Sequence, residues 1–109
     1  MPGYVDVRDV SRAVVFAMDH PEKTNGERYI AASACGPPQA VADILRKALP
    51  ERAAVIDKGT PGEGYLPGFG FPASGNSYDG SKLARTTGQD YIPFDKTVLD
   101  TVESFKNIV

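Results

Sequence analysis

The chain has 109 residues, 41% hydrophobic and 24% charged, with a net charge of −2, which suits one globular domain at most. That mildly acidic balance argues against a general electrostatic grip on nucleic acid or on an anionic membrane. No run approaches the ~20 apolar residues of a membrane-spanning helix. Charged residues at Asp6, Arg8, Asp9, Arg12 and Asp19 interrupt any signal-peptide stretch, so a cytoplasmic location is expected. The single cysteine, Cys35, cannot close an intramolecular disulfide, and one Cys with one His cannot complete a zinc site, so no metal is expected.

In chain order, Tyr4-Val5-Asp6-Val7-Arg8-Asp9-Val10-Ser11-Arg12-Ala13 reads as a short strand running straight into a helix. Asp6 suits the N-cap, with Asp9 three residues on at the positive end of the dipole. Val10, Ala13, Val14, Ala17 and Met18 recur at three-to-four spacing and predict one apolar stripe facing the core. Asp19-His20-Pro21 ends the helix, because proline disfavours helical geometry in the residue before it. Lys23-Thr24-Asn25-Gly26 reads as a turn and Glu27 to Ala32 as a strand. Gly36-Pro37-Pro38 opens a second helix through about Leu49, with Val41, Ile44, Leu45 and Ala48 on one face and Pro50 as the stop. Ala53-Ala54-Val55-Ile56 is a short strand candidate.

Residues 58–77 are rich in glycine and proline yet carry Tyr65, Leu66, Phe69 and Phe71, which suits a binding loop better than a solvated spacer. These glycines form no phosphate cradle, for no P-loop lysine and helix follow them. Asp79 can cap a short helix, Gly80 to Thr87, ended by Gly88. Phe94 and Asp95 resemble an apolar N′ residue and an N-cap for a last helix from about Lys96 to Asn107, whose buried stripe is Val98, Leu99, Val102 and Phe105. The fold class is therefore α/β, a small α+β-like domain of three to four helices and a few short strands, spanning residues 1–109 as one unit.

The opening segment resembles the "Y/F-V-D-V-R-D-V-A-R-A" stretch of extended short-chain dehydrogenase/reductases, within the NAD-dependent epimerase/dehydratase superfamily. Dihydroflavonol reductase-like and fungal ketoreductase-like enzymes are the nearest in kind. Gly26-Glu27-Arg28-Tyr29-Ile30 is similar to their "G-E-R-Y-I" strand, and Ala40-Val41-Ala42-Asp43-Ile44-Leu45-Arg46 to their "D-I-A-D-I-L-R" helix. Asp79-Gly80-Ser81-Lys82-Leu83-Ala84-Arg85 followed by Gly88 resembles "D-x-S-K-A … L-G", and Thr97-Val98-Leu99-Asp100-Thr101-Val102 resembles "L-x-D-T-V". The five pieces stand in the family's order. They correspond to its C-terminal, substrate-binding half, and the resemblance implies a remnant of a Rossmann-type reductase.

The family's G-x-x-G-x-x-G turn, which sets dinucleotide phosphates on a helix N-terminus, is missing, and so is its catalytic Tyr-x-x-x-Lys pair. Tyr78 and Lys82 have that spacing but coincide with the family's structural "D-x-S-K" helix. No cofactor is therefore expected. The resemblance implies a stand-alone, cofactor-free protein that binds a small hydrophobic molecule, an aromatic or polyketide-like carbonyl compound, and could direct its isomerisation, cyclisation or dehydration. Tyr65, Phe69, Phe71 and Tyr78 are the candidate lining, and Asp79, Lys82 and His20 the candidate proton-transfer groups. Two alternatives stand beside it: a split half of an NAD(P)-dependent ketoreductase needing a Rossmann partner, and a non-enzymatic interaction module. Strands deprived of their sheet neighbours predict a homodimer or swapped oligomer.

Overall fold

A computed structural model describes residues 3–36, 38–60 and 78–106 of the chain. The fold is helix-dominated α/β. Strand β1 (Gly3–Tyr4) leads into α1 (Val7–Asp19) and the single-turn α2 (Pro21–Thr24). Strand β2 (Ala34–Cys35) is followed by α3 (Pro38–Ala48) and a 3₁₀ turn at Pro50–Arg52. Helices α4 (Ser81–Thr87) and α5 (Phe94–Ser104) complete the described chain. β1 and β2 pair antiparallel, Gly3 opposite Cys35 and Tyr4 opposite Ala34.

The core lies where this ladder meets the α3–α5 pair. Ala34, Ala40, Ile44, Phe94 and Val98 are buried together, with Tyr4, Val41, Leu45 and Leu99 packed on them. Ala40 has 0% exposure, and only so small a residue lets α3 approach this closely. Tyr4 and Phe94 stack with ring centroids 4.7 Å apart, joining the ladder to the start of α5.

Helix α1 begins as the sequence predicts. Asp6 is its N-cap in extended backbone, and its Oδ1 accepts from Arg8 N at 2.8 Å. Its packing face, however, is rotated from the expected one: Ala13 and Ala17 of the predicted stripe are partly buried, while its larger members face outward. Val14 is 55% exposed, Met18 76% and Val7 74%, with Val10 and Val15 also at the surface. The residues turned inward are Asp9, Ala13, Phe16 and Ala17, a face rotated away from the valines on a helix with 3.6 residues per turn. The cause is polar. Asp9 Oδ2 accepts from Ile92 N at 2.9 Å, and Arg12 pairs with Asp9. Asp6 Oδ2 accepts from Thr97 Oγ1 at 2.9 Å and from Arg8 Nη2 at 2.8 Å. Two buried carboxylates thus fix the rotation of α1, and its valine stripe points to solvent.

The expected strand at Glu27 to Ala32 is an extended segment without ladder pairing. No strand lies beside it among the described residues, so side chains hold it instead: Lys82 at its start, Tyr91 and Ser33 at its end. The expected strand at Ala53 to Ile56 is a turn, closed by Val55 N and Ile56 N donating to Arg52 O at 3.0 and 3.2 Å. Helix α5 starts at Phe94, with Pro93 at the N-cap position and Asp95 inside the first turn, where proline's fixed φ suits the helix entrance. Helix α4 ends at Gly88 in the left-handed region, φ 70°, as the glycine predicts.

Asp6 tests this arrangement. The Arg8 guanidinium, the Arg8 amide and Thr97 hold its carboxyl well below the usual carboxylate range against the opposing effect of burial. The stability it contributes is present above the ordinary carboxylate pKa and is lost as pH falls through that value toward the lowered one. Asp6→Ala should cost about 1–2 kcal/mol at pH 7, as loss of an N-cap does. In chemical denaturation from pH 7 to pH 3, this gap between wild type and variant should narrow.

Candidate functional site

Three of the sequence-derived candidates, Tyr78, Asp79 and Lys82, lie around the N-terminus of α4. Gly80 is the close-approach point there: a Cβ on it would lie 2.2 Å from Ala32 O and 2.7 Å from Tyr91 Oη. Tyr91 Oη donates to Gly80 O at 2.8 Å, so one partly buried phenol ties α4 to the 30–32 segment, and desolvation pushes its pKa up. Asp79 Oδ1 accepts from Ser81 N at 2.9 Å, but the N-cap of α4 is Gly80, so the expected Asp79 cap is a turn contact one residue earlier. Its bonds to Ser81, side chain before backbone, lower its pKa.

Lys82 Nζ donates to Glu27 Oε2 at 2.7 Å and to Arg28 O at 3.0 Å, and sits 4.9 Å from the centre of the Tyr29 ring. The ammonium therefore straps α4 to the extended segment, and the Lys82 hydrogen bond lowers the Glu27 pKa. Tyr78 is half exposed, with its ring 3.0 Å from where a Cβ on Gly3 would stand. Tyr78, Asp79 and Lys82 are thus neighbours along one helix start, each with a different contact.

His20 lies elsewhere, between α1 and α2, stacked on Phe16 at 4.4 Å, with Nδ1 3.4 Å from Glu22 Oε1. It opens on a surface hollow with Ser11, Arg12, Val15 and Gln89, which Tyr78, Asp79 and Lys82 do not line. Tyr65, Phe69 and Phe71 lie outside the described residues. Cys35 takes its place in β2.

Chemically, the α4 cluster favours binding and positioning over proton transfer. Among the described carboxylates with a displaced pKa (Asp6, Glu22, Glu27, Asp79 and Asp100), every displacement is downward. A carboxylate held that way stays ionised at neutral pH and is a weak general base. No group of three or more His, Cys, Asp or Glu side chains that could hold a metal occurs among the described residues.

An apolar concavity that sequence reasoning missed lies between α3 and α5, walled by Leu45, Leu49, Ile56, Val102 and Phe105, with a volume of about 500 Å³. Its residues carry a signal in the sequence, since Leu45, Val102 and Phe105 belong to the predicted stripes. The stripes read as core because spacing cannot tell a buried face from the lining of a groove.

A nicotinamide dinucleotide needs a helix N-terminus with free amides facing its phosphates. The β1–α1 junction offers the buried Asp6 carboxylate there, bonded to Arg8 N. The β2–α3 junction opens with Pro37 and Pro38, which lack N–H donors. The described residues do not fit the phosphate groups, and no step is derived through that cofactor.

No family model matches the chain, and no solved structure matches it. Two curated relatives do. The chain is 33% identical over 99 residues to the NADPH-dependent methylglyoxal reductase GRE2 of Saccharomyces cerevisiae. It is 26% identical over 99 residues to the putative NADPH-dependent methylglyoxal reductase GRP2 of Candida albicans. Each match takes in 91% of this chain, which spans only 28% of either relative's length.

Gly80→Ala should destabilise the protein by about 1–3 kcal/mol, the usual cost of forcing an extra carbon into a tight contact. Tyr91→Phe, which removes the hydroxyl and keeps the ring, should cost about 1 kcal/mol and should partly offset the Gly80→Ala penalty in the double variant. Thermal or chemical denaturation of the four proteins measures this. The similarity to two NADPH-dependent reductases over nearly the whole chain supports a reductase-derived origin.

Proposed function

We propose that this chain is the substrate-binding portion of a carbonyl reductase and acts when joined to a nucleotide-binding portion carried on other polypeptide. The observation that carries the reading is the α1 surface. Val7, Val10, Val14 and Met18 form a stripe at helical spacing with no cover among the described residues. Contiguous apolar surface of this kind marks an interaction face. The helix is held rigidly behind it by Asp6 and Asp9, so the stripe is presented without an ordering cost. The relatives, named for NADPH-dependent reduction of methylglyoxal, have nearly three quarters of their length outside the matched segment, which supplies a fitting occupant.

In this reading the α4 start and the Glu27–Ser33 segment support a substrate-facing wall, and the hydride chemistry belongs to the joined portion. The substrate class is a small carbonyl compound. A second reading, a cofactor-free isomerase, cyclase or dehydratase, draws on the α3–α5 groove, whose size suits a small ligand. It needs a poised acid or base, which Asp79 and Lys82 with their present partners supply poorly. A homodimer or swapped oligomer, the third occupant for the α1 stripe, would compete with the nucleotide-binding portion for the same surface.

Co-expression with the nucleotide-binding portion of a related reductase should yield a stable complex with NADPH-dependent reduction of methylglyoxal or another small carbonyl substrate. Val14→Asp should abolish the complex, because a desolvated charge would face an apolar partner. In the isolated chain the same change should alter stability by no more than about 0.5 kcal/mol, since Val14 is already in water. A pair that never associates, or a Val14→Asp chain that associates and reduces as well as wild type, overturns the reading. Conversion of the ligand by the chain alone, without nucleotide, would favour the second.

A further inference from the structure

The groove between α3 and α5 is built from this chain alone, and its construction is specific. Arg46 Nη1 donates to Ala53 O at 2.6 Å and to Ile56 O at 2.9 Å, pinning the turn that carries Ile56 against α3. Farther along, Gln39 Nε2 donates to Lys58 O at 2.8 Å and its Oε1 accepts from Thr60 N at 3.1 Å. The wall is therefore latched at two heights. The floor is aliphatic, from Leu45, Leu49 and Val102, and Phe105 stands half exposed at its end.

Four charges line the rim. Lys106 Nζ lies 3.7 Å from Glu103 Oε2, so these two answer each other. Arg52 makes no ion pair or side-chain hydrogen bond among the described residues, which leaves a guanidinium fork free at the mouth of an apolar slot. Glu51 precedes it in the chain on the same rim and disfavours a second negative charge. At about 500 Å³ the groove falls within the size of small-molecule sites.

We propose that this groove binds a singly charged aliphatic carboxylate, its tail along Leu45, Leu49, Val102 and Phe105 and its carboxylate on Arg52. An apolar body with one fixed polar end matches the lining. Arg prefers carboxylate over a neutral hydroxyl through paired, charge-assisted hydrogen bonds. Because every group involved belongs to this chain, the proposal holds or fails independently of any nucleotide-binding partner.

The test titrates the full chain with octanoate, 1-octanol and octanedioate, following backbone amide resonances by NMR. Octanoate should shift the α3 and α5 signals around Leu49 and Val102 and bind at least about fivefold more tightly than 1-octanol, the worth of one charge-assisted bond at a half-open site. Octanedioate should bind more weakly than octanoate, because its second carboxylate would lie in the apolar slot or against Glu51. Arg52→Gln, at an exposed position, should erase the preference for octanoate over 1-octanol while leaving 1-octanol binding unchanged. Phe105→Ala should weaken both. Equal affinity for octanoate and 1-octanol in the wild type, an undiminished preference in Arg52→Gln, or shifts centred away from α3 and α5 would each overturn the proposal.

Discussion

Two carboxylates at the entrance of α1 decide how this molecule is put together. Asp6 is buried where the helix begins and receives a backbone amide, a guanidinium and the Thr97 hydroxyl from α5. Asp9, one turn on, receives the Ile92 amide and Arg12. Arg8 continues from Asp6 to Asp100, which also meets Lys96 at 3.0 Å. Breaking one member of such a set leaves a buried charge without its partners, which costs far more than the net gain from forming the bond. The positive end of the α1 dipole adds to the preference for the ionised acids. The rotation of α1 about its axis is therefore set by charge, and hydrophobic burial follows where it can.

That priority shapes everything downstream. With the acids inward, α1 contributes Ala13 and Phe16 to partly buried contacts and leaves its valines outside. The apolar core then has to come from the β1–β2 ladder and the α3–α5 pair, where Phe94, Ile44 and Val98 do most of the burying. A two-stranded ladder of two residues each adds few backbone bonds of its own. Side-chain straps take over that role: Lys82, Tyr91 and Ser33 hold the extended 27–33 segment, and Arg46 and Gln39 hold the 53–60 stretch. The fold is stitched by polar contacts to backbone carbonyls as much as by its core.

The residues themselves announced the caps and stops. Asp6 as N-cap, Gly88 as the left-handed terminator, Pro21 after α1 and Pro50 after α3 act locally, through a donor, a missing Cβ or a fixed φ, and local physics can be read in order along the chain. The faces of α3 and α5 were legible too, since Ile44 and Val98 are buried with Val41, Leu45 and Leu99 packed on them, but the face of α1 was not. The α1 stripe has flawless amphipathic spacing, yet spacing says only that the apolar residues share a side; whether that side meets the core depends on Ile92 and Thr97, more than 80 residues away. Glu27 to Ala32 has the residues of a strand and lacks a neighbour to pair with, which is a property of the assembly around it. At the α4 start Tyr78, Asp79 and Lys82 lie together, and the sequence did not disclose the ties that engage Asp79 and Lys82. The α3–α5 groove was hidden because Leu45 and Phe105 look like core residues in any one-dimensional pattern.

The same electrostatics bear on what kind of work this chain can contribute. An acid or base suited to neutral pH needs an environment that brings its pKa toward 7, usually an apolar one. Here the environments do the opposite: partners of opposite charge and amide donors hold the displaced carboxylates down. The Lys82 ammonium is engaged by Glu27 and by the Arg28 carbonyl. Helix N-termini, the other source of chemical leverage, are filled by Asp6 at α1, engaged by Asp79 at α4 or blunted by prolines elsewhere among the described residues. What the molecule does offer is shaped apolar surface at two places, a rigid helix stripe and a latched groove, both backed by charged groups that cannot easily rearrange. In the proposed reading such surfaces hold a partner and a ligand, and the making and breaking of bonds belongs to the joined portion.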